Sequence, residues 1–473
     1  MAKLDLNRVE MPRQESHVRA RNFDEVALGY NAEQATHEAN RCIQCPKRPC
    51  VGGCPVNVDI PDFIKALRQG NMPEAVKILK SKNSLPGICG RVCPQETQCE
   101  EVCVLGKRGA PIAVGRLERY VADWEQQQAG SARLVVDIAP SSGKKVAVVG
   151  SGPAGLTCAA DLAKMGHQVT VFEALHVAGG VLMYGIPEFR LPKAIVQSEV
   201  NYVRSWGVEI RLDAVIGKVM SVDELLSNGY DAVFLGTGAG LPMFLRIPGE
   251  NFTGVYSANE FLTRVNLMKA YLREEYDTPV PMGRRIAVIG GGNVAMDSAR
   301  CALRLGADRV YVIYRRSRAE MPARAEEVDN AQEEGIVFKM LTNPLRFLGD
   351  GRGWVSAMEC IEMELGEPDA SGRRRPIPKP GSEFVMDVDT VVVALGTTPN
   401  PLVPSTTEGL ATTSEGTVVV DKKNGQTTKP KVWAGGDVAT GAATVISAMG
   451  AGKVAAASID GYLREDVSPT TAR

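Results

Sequence analysis

Eight of the 11 cysteines fall between Cys42 and Cys103, in two blocks. The first block is Cys42-x2-Cys45-x4-Cys50-x3-Cys54-Pro55, and the second is Cys89-x3-Cys93-Pro94-x4-Cys99-x3-Cys103. Thiols concentrated in this way bind metal or pair as disulfides. A disulfide framework suits a short secreted chain, whereas this one has 473 residues. An iron–sulfur cluster takes about four thiolate-type ligands, and a Cys-Pro closing a run is the ferredoxin habit, in which the last thiolate reaches a second cluster. Two blocks of four therefore predict two [4Fe–4S] clusters. Four thiolates also satisfy tetrahedral zinc; the unequal spacings and the Cys-Pro pairs favour iron. The four histidines, His17, His37, His167 and His176, stand at no ligand spacing from one another.

Two glycine-rich turns carry a second kind of chemistry. Gly150-Ser-Gly152-Pro153-Ala154-Gly155 follows the short apolar run Lys145–Val149 and opens an apolar stretch, Leu156 to Met165. Such glycines permit a tight turn and let the backbone approach a pyrophosphate seated on the helix N-terminus. The next apolar run, Gln168–Phe172, ends at Glu173. A carboxylate there accepts from a ribose 2′-hydroxyl and repels a 2′-phosphate, so this site suits FAD or NAD(H). The second turn is Gly290-Gly-Gly292-Asn293-Val294-Ala295, and the run after it, Arg309–Tyr314, ends at Arg315-Arg316. Two guanidinium groups at that place suit the 2′-phosphate of NADP(H). Arg318 and Arg324 are further candidates. Val432-Trp-Ala-Gly-Gly436-Asp437 reads as a strand ending in Gly-Asp before another helix.

The elements that must position these residues follow from periodicity. Residues 22–40 read as a helix capped by Asn22, and residues 60–79 as two short helices parted at Gly70-Asn71. Residues 112–124 read as a further helix, and residues 125–145 as a linker. The body is then α/β, with two Rossmann-like βαβ starts. The expected domains are a helical iron–sulfur domain over 1–144, a discontinuous FAD domain over 145–280 and 385–473, and an inserted NADP(H) domain over 281–384. Residues 264–282 read as a connector, and the polar tail from Asp466 as mobile.

Lys and Arg number 54 and Asp and Glu 55, for a net charge of −1, which argues against nucleic-acid binding. No apolar run reaches the roughly 18 residues of a membrane span. Met1 to Arg21 is polar, without the apolar core of a secretory signal, so a cytoplasmic protein is expected.

From Arg41 to Trp124 the sequence resembles the cluster domain shared by glutamate synthase small subunits and dihydropyrimidine dehydrogenase. The likeness rests on Cys54–Pro61, Cys89–Gln95 and Gly115–Tyr120. It implies one cluster on Cys42, Cys45, Cys50 and Cys103. The other falls to Cys54, Cys93, Cys99 and Glu118, and Cys89 becomes a non-ligand that packs nearby. The runs Gly179–Lys193 and Gly366–Arg375 extend the resemblance to the glutamate synthase small-subunit family over nearly the whole chain. That family has glutathione-reductase-like FAD and NADP(H) domains. The resemblance places Asp437 on the flavin ribityl chain and counts Gly180, Arg190 and Gly436 among the cofactor-binding residues. Met11-Pro-Arg-Gln14 and Tyr256–Arg264 look like the large subunit of NADH-dependent ferredoxin:NADP+ oxidoreductase, an electron-bifurcating enzyme.

The resemblance implies an oxidoreductase subunit that moves electrons between NADPH, FAD and two clusters. Its partner would be a second subunit binding flavin and NAD(H), with ferredoxin as a further partner. As an alternative it would donate electrons to the large subunit of glutamate synthase. An assembly module with structural clusters is a third reading. No Cys-x2-Cys dithiol lies in the body, and no amidotransferase machinery is visible.

Overall fold

The computed structural model describes residues 5–128 and 137–465. A helical domain comes first. Asn31, not Asn22, caps its Ala32–Asn40 helix: the Asn31 side chain accepts from the Gln34 amide at 2.9 Å, and Gln34 accepts from the Asn31 amide at 3.0 Å. The helix expected from residue 22 is interrupted at Gly29, whose φ of +82° is left-handed. Ile60–Arg68 and Met72–Lys82 are parted at Gly70-Asn71, as predicted, and Pro86–Val92 and Val114–Gln127 follow. Their apolar faces close on Phe63, Ile64, Leu79, Leu85, Ile88 and Leu117. The segment expected as a linker begins as the last turn of Val114–Gln127, and residues 129–136 lie outside the described residues. The tail from Asp466 lies outside them too.

Two parallel five-stranded sheets follow. The first runs in space Val432–Ala434, Ala232–Leu235, Lys145–Val149, Gln168–Phe172, Glu209–Arg211. The second runs Val255–Ser257, Thr390–Val393, Arg285–Ile289, Arg309–Tyr314, Val337–Met340. Their central strands are apolar on both faces, as a parallel sheet covered on both sides requires. Each glycine turn leaves the carboxyl end of a middle strand and opens a helix, Pro153–Lys164 or Asn293–Arg304. That end of the sheet is where ligands of open α/β folds bind.

Sheet membership moves the domain limits. Val255–Ser257 and Thr390–Val393, expected in the FAD domain, pair with each other and with Arg285–Ile289 in the second sheet. The second domain therefore begins before Val255 and ends after Val393. The two chain passages between the domains run side by side, Leu241–Pro242 antiparallel to Thr397–Thr398. The expected connector at 264–282 starts within a helical segment, Ala258–Leu262 continued by Thr263–Leu267, that packs on the second domain. An antiparallel layer of Thr342–Gly349, Val355–Pro368, Arg374–Pro378 and Phe384–Asp387 completes that domain. No helix among the described residues is long and apolar enough to cross a membrane.

Candidate functional site

All eight clustered cysteines carry free thiols, and their mutual influence sorts them into two groups that meet at Cys50 and Cys99. Burial pushes the Cys42 thiol up, with Cys45 and Cys103 adding to it. Cys50 is pushed up to about 11 by burial and then by Cys42 and Cys103. These four act on one another. Cys54 is pushed up to about 11 by burial, with Glu118 and Cys89 adding to it. Cys93 is raised first by its hydrogen bond with Cys89, then by burial, Glu118 and Cys99. No basic side chain is among the principal groups acting on Cys42, Cys50, Cys54, Cys93 or Cys99. Thiolates here would need the charge of bound iron, and two sets of four thiolate-class positions fit that need. Among the described residues no three such side chains converge on a point suited to one ion. A cubic cluster spreads its ligands around its corners instead.

Glu118 lies on the inner face of Val114–Gln127, beside the second group. Burial pushes its carboxyl up to about 8, against the pull of an Asn83 Nδ2 donor 2.7 Å from Oε1. Cys89 is equally buried, its Sγ 3.7 Å from Asn83 Oδ1 and 3.5 Å from Met449 Sδ. The second group thus contains five candidate ligands.

At the first glycine turn, a Cβ on Gly155 would lie 1.9 Å from the Gly150 carbonyl oxygen, so the helix can approach its strand only with glycine there. A Cβ on Gly152 would meet nothing within 4 Å, which leaves the turn open on the ligand side. Pro153 and Ala154 start the helix, and Gly180 sits against Gly152. Glu173 is buried and braces this turn. Its Oε2 accepts from the Ser151 amide at 2.9 Å and from the Ser151 hydroxyl, and its Oε1 from the Leu175 amide at 2.9 Å.

Gly436 packs beside Ala154, and Asp437 begins a short helix above the same turn. Burial pushes the Asp437 carboxyl up to about 6, although the Ala443 amide donates to it from 3.1 Å. Tyr184 joins this place: burial, then Asp437 and Glu173, push its phenol up to about 12. Sequence reasoning missed Tyr184, whose only signal is its place in the Gly179–Lys193 run.

Gly292 is also open, and Asn293, Val294 and Ala295 form the first turn of Asn293–Arg304. Asn293 Oδ1 accepts from the Arg324 amide at 3.0 Å. The two arginines after the Arg309–Tyr314 strand part company. Arg315 is exposed, with no hydrogen-bond or ionic partner among the described residues. Arg316 is buried, its Nη2 2.5 Å from Asp369 Oδ2 and its Nε 2.8 Å from the Arg374 carbonyl oxygen. Arg316 is therefore committed to protein partners, contrary to the expectation of two free guanidinium groups. Arg318 pairs with Asp329, and Arg324 turns toward Glu96 and Glu326.

Arg190, expected at a cofactor, joins the two nucleotide domains instead. Its Nη1 lies 2.7 and 2.8 Å from the two oxygens of Asp297 on Asn293–Arg304, and its Nε 3.3 Å from Glu327. Burial works against its charge, and the two carboxylates more than offset that. Phe189 beside it lies under the guanidinium groups of Arg300 and Arg304, at 4.7 and 4.0 Å from the ring centre.

The cysteine domain meets the first nucleotide domain along the Val445–Glu465 helix. A Cβ on Gly450 of that helix would lie 2.8 Å from the Pro55 carbonyl oxygen, next to Cys54. Met449 of the same helix touches Cys89.

The dihydropyrimidine dehydrogenase domain II, 4Fe–4S cluster family matches residues 19–130, and the pyridine nucleotide-disulphide oxidoreductase family matches residues 144–452. The chain is 36% identical over 471 residues to the small chain of NADPH glutamate synthase from Escherichia coli, covering 97% of this chain and 98% of that one. It is 41% identical over 445 residues to the beta subunit of an NADP+-dependent formate dehydrogenase from Moorella thermoacetica; that match covers 89% of this chain but 61% of the relative's length. Among solved structures, Mycobacterium tuberculosis FprA in complex with NADPH superposes with a TM-score of 0.57 at 21% identity, over 71% of this chain and 88% of that one. Lactococcus lactis thioredoxin reductase gives 0.51 at 21% identity, over 68% and 99%. These two share the fold. With an iron–sulfur domain set before two nucleotide-binding domains, the chain belongs to the pyridine nucleotide-disulphide oxidoreductases, in the glutamate synthase small-subunit family.

Proposed function

We propose that this chain is the NADP(H)-dependent electron-transfer subunit of a larger enzyme and carries one FAD and two [4Fe–4S] clusters. The observation that carries the reading is the Val445–Glu465 helix, which backs onto Cys54-Pro55 and Cys89 while its amino end follows Asp437. The second thiol group and the first nucleotide site thus share one helix. An FAD held there would supply hydride exchange with NADPH, and bound clusters would supply one-electron transfer, chemistry that belongs to the cofactors.

The chain supplies placement and charge. Gly150, Gly152 and Gly155 let the turn reach a pyrophosphate, and Glu173 holds that turn through Ser151 while facing a ribose. Asp437 would accept a hydrogen bond from a ribityl hydroxyl, and the amino end of Val445–Glu465 would favour the negative charge that builds on a reduced flavin. Gly290, Gly292 and the Asn293–Ala295 helix start receive the second pyrophosphate. Arg315 meets the 2′-phosphate. Cys42, Cys45, Cys50 and Cys103 would hold one cluster; Cys54, Cys93, Cys99 and Glu118 would hold the other, on the side of the Val445–Glu465 helix.

The acceptor is a partner subunit. The Met11–Gln14 and Tyr256–Arg264 runs favour a partner that binds a second flavin and NAD(H), with the complex bifurcating electrons to ferredoxin. The end-to-end match with the Escherichia coli small chain favours a glutamate synthase large subunit as the alternative. NADPH added anaerobically to the isolated chain should bleach its flavin absorbance. Cys54→Ser should keep that step and lose electron delivery to the co-purified partner. Failure of NADPH to bleach the flavin would overturn the reading, and undiminished delivery in Cys54→Ser would make that cluster structural. NAD+ reduction coupled to ferredoxin reduction, both at the expense of NADPH, marks the bifurcating partner in the purified complex, and glutamine-dependent glutamate formation marks the alternative.

A further inference from the structure

The turn between Val355–Pro368 and Arg374–Pro378 has no role in the account so far, yet it is built with care. Asp369 donates its amide to the Arg373 carbonyl oxygen at 2.8 Å, and Gly372, at φ +77°, donates to the Asp369 carbonyl oxygen at 2.9 Å. This is a three-residue hairpin loop closed by a left-handed glycine. Asp369 works on two sides. Its Oδ1 accepts from the Ser371 amide at 2.9 Å and hydroxyl at 2.5 Å, which shapes the turn. Its Oδ2 takes Arg316 Nη2 at 2.5 Å. The Arg316 Nε bond to the Arg374 carbonyl oxygen at 2.8 Å completes a clamp.

The clamp fixes the loop against the carboxyl end of the Arg309–Tyr314 strand. The same strand end carries Tyr314, whose ring lies 2.6 Å from where a Cβ on Gly291 would sit, within the second glycine turn. The strand end thus meets the loop through Arg316 and the glycine turn through Tyr314. Arg373 spends only its Nε, on the Ser371 hydroxyl at 3.0 Å. Arg374 bonds the Leu365 and Gly366 carbonyl oxygens and no acid. Arg315 and Arg375 have no partner among the described residues. Elsewhere in this domain Arg285, Arg300, Arg304, Arg318, Arg324 and Arg346 pair with carboxylates, while Arg273 bonds the Leu305 carbonyl oxygen. The loop and its outgoing strand thus carry three successive arginines, Arg373 to Arg375, with no salt bridge among the described residues.

We propose that this loop is a wall of the 2′-phosphate subsite: Arg373 and Arg315 supply the charge, and Arg316 and Asp369 are positioning residues that hold the loop in place. The inference rests on reading the second glycine turn as an NADP(H) site. It explains why the second of the adjacent arginines is buried, and it makes selectivity for NADP(H) depend on a segment distant in sequence from the glycine turn.

Calorimetric binding of NADP+ and of NAD+ to the flavin-loaded chain tests it, with no turnover needed. Arg373→Ala should weaken NADP+ binding about tenfold or more and leave NAD+ unchanged, since a charge-assisted phosphate contact is lost. Asp369→Asn should weaken NADP+ selectively too, although its side chain would not touch the nucleotide. A loop serving only stability would move both nucleotides together or neither. If Arg315→Ala lowers NADP+ binding while Arg373→Ala changes it less than about twofold, the loop is no part of the subsite and the NADP(H) reading survives. If neither variant alters the preference for NADP+ over NAD+, the NADP(H) reading of the turn falls and the inference falls with it.

Discussion

Under the proposed two-cluster reading, Glu118 and Cys89 compete for one coordination position. Both are buried, both act on Cys93, and both bond or approach Asn83. Cysteine count alone favours Cys89. The family likeness favours Glu118, which requires a carboxylate delivered by a helix beyond both cysteine blocks. With Glu118 as ligand, Glu118→Ala opens one iron and changes the paramagnetic signal of one cluster only. Cys89→Ser then keeps both signals and costs about 1–3 kcal/mol of stability for a hydroxyl without a strong partner. Loss of a cluster in Cys89→Ser, with both kept in Glu118→Ala, would reverse the assignment. The grouping of Cys103 with Cys42, Cys45 and Cys50 was legible only through family likeness, because nothing in local spacing says which block folds back on which. Arg316 shows the opposite limit: its residue type fits a phosphate, but a carboxylate far along the chain, Asp369, claims it.

At the scale of elements, Ala325–Glu333 and Asn293–Arg304 are joined by a buried ionic network. Glu334, just past the end of the first, meets Arg19 Nε at 3.0 Å, Arg300 Nη2 at 2.7 Å and Arg304 Nη1 at 2.7 Å. Burial alone would raise the Glu334 carboxyl, but Arg304 and Arg300 outweigh it and hold the group down at about 2. The folded chain therefore binds this proton less readily than the unfolded chain. The resulting stability is complete above the ordinary glutamate range, about 4.3, and is lost as pH falls through about 2. Glu334→Gln should cost about 3–5 kcal/mol at neutral pH by leaving guanidinium groups short of charge. Denaturant unfolding across pH checks this, because the gap between variant and wild type should narrow steadily below pH about 4. A gap independent of pH would mean that packing, not charge, sets the loss. Strand–turn–helix units were legible here because each lies in one contiguous stretch, as Lys145–Lys164 and Arg285–Arg304 do. Val255–Ser257 and Thr390–Val393 were not, because partners more than a hundred residues apart in the chain decide which sheet a short apolar strand joins.

Across the whole molecule, the N-terminal arm and the Val445–Glu465 helix tie three domains into one frame. Arg13 and Arg19 bond Asn330 and Glu333 of the second nucleotide domain, and Val26 donates to the Phe189 carbonyl oxygen. Glu25 pairs with Arg91 and Arg119 of the cysteine domain. The arm thereby holds the cysteine domain against both nucleotide domains, and the long helix sets the second thiol group behind the first nucleotide site. Composition could not reveal this, since the arm is a polar stretch with no regular pattern. The central claim is that this frame carries two iron–sulfur clusters and one flavin. Iron, sulfide, zinc and flavin analysis of the anaerobically purified chain tests it most directly. The account predicts about eight irons per chain, as two cubes of four, with one FAD. Stoichiometric zinc with little iron would contradict it.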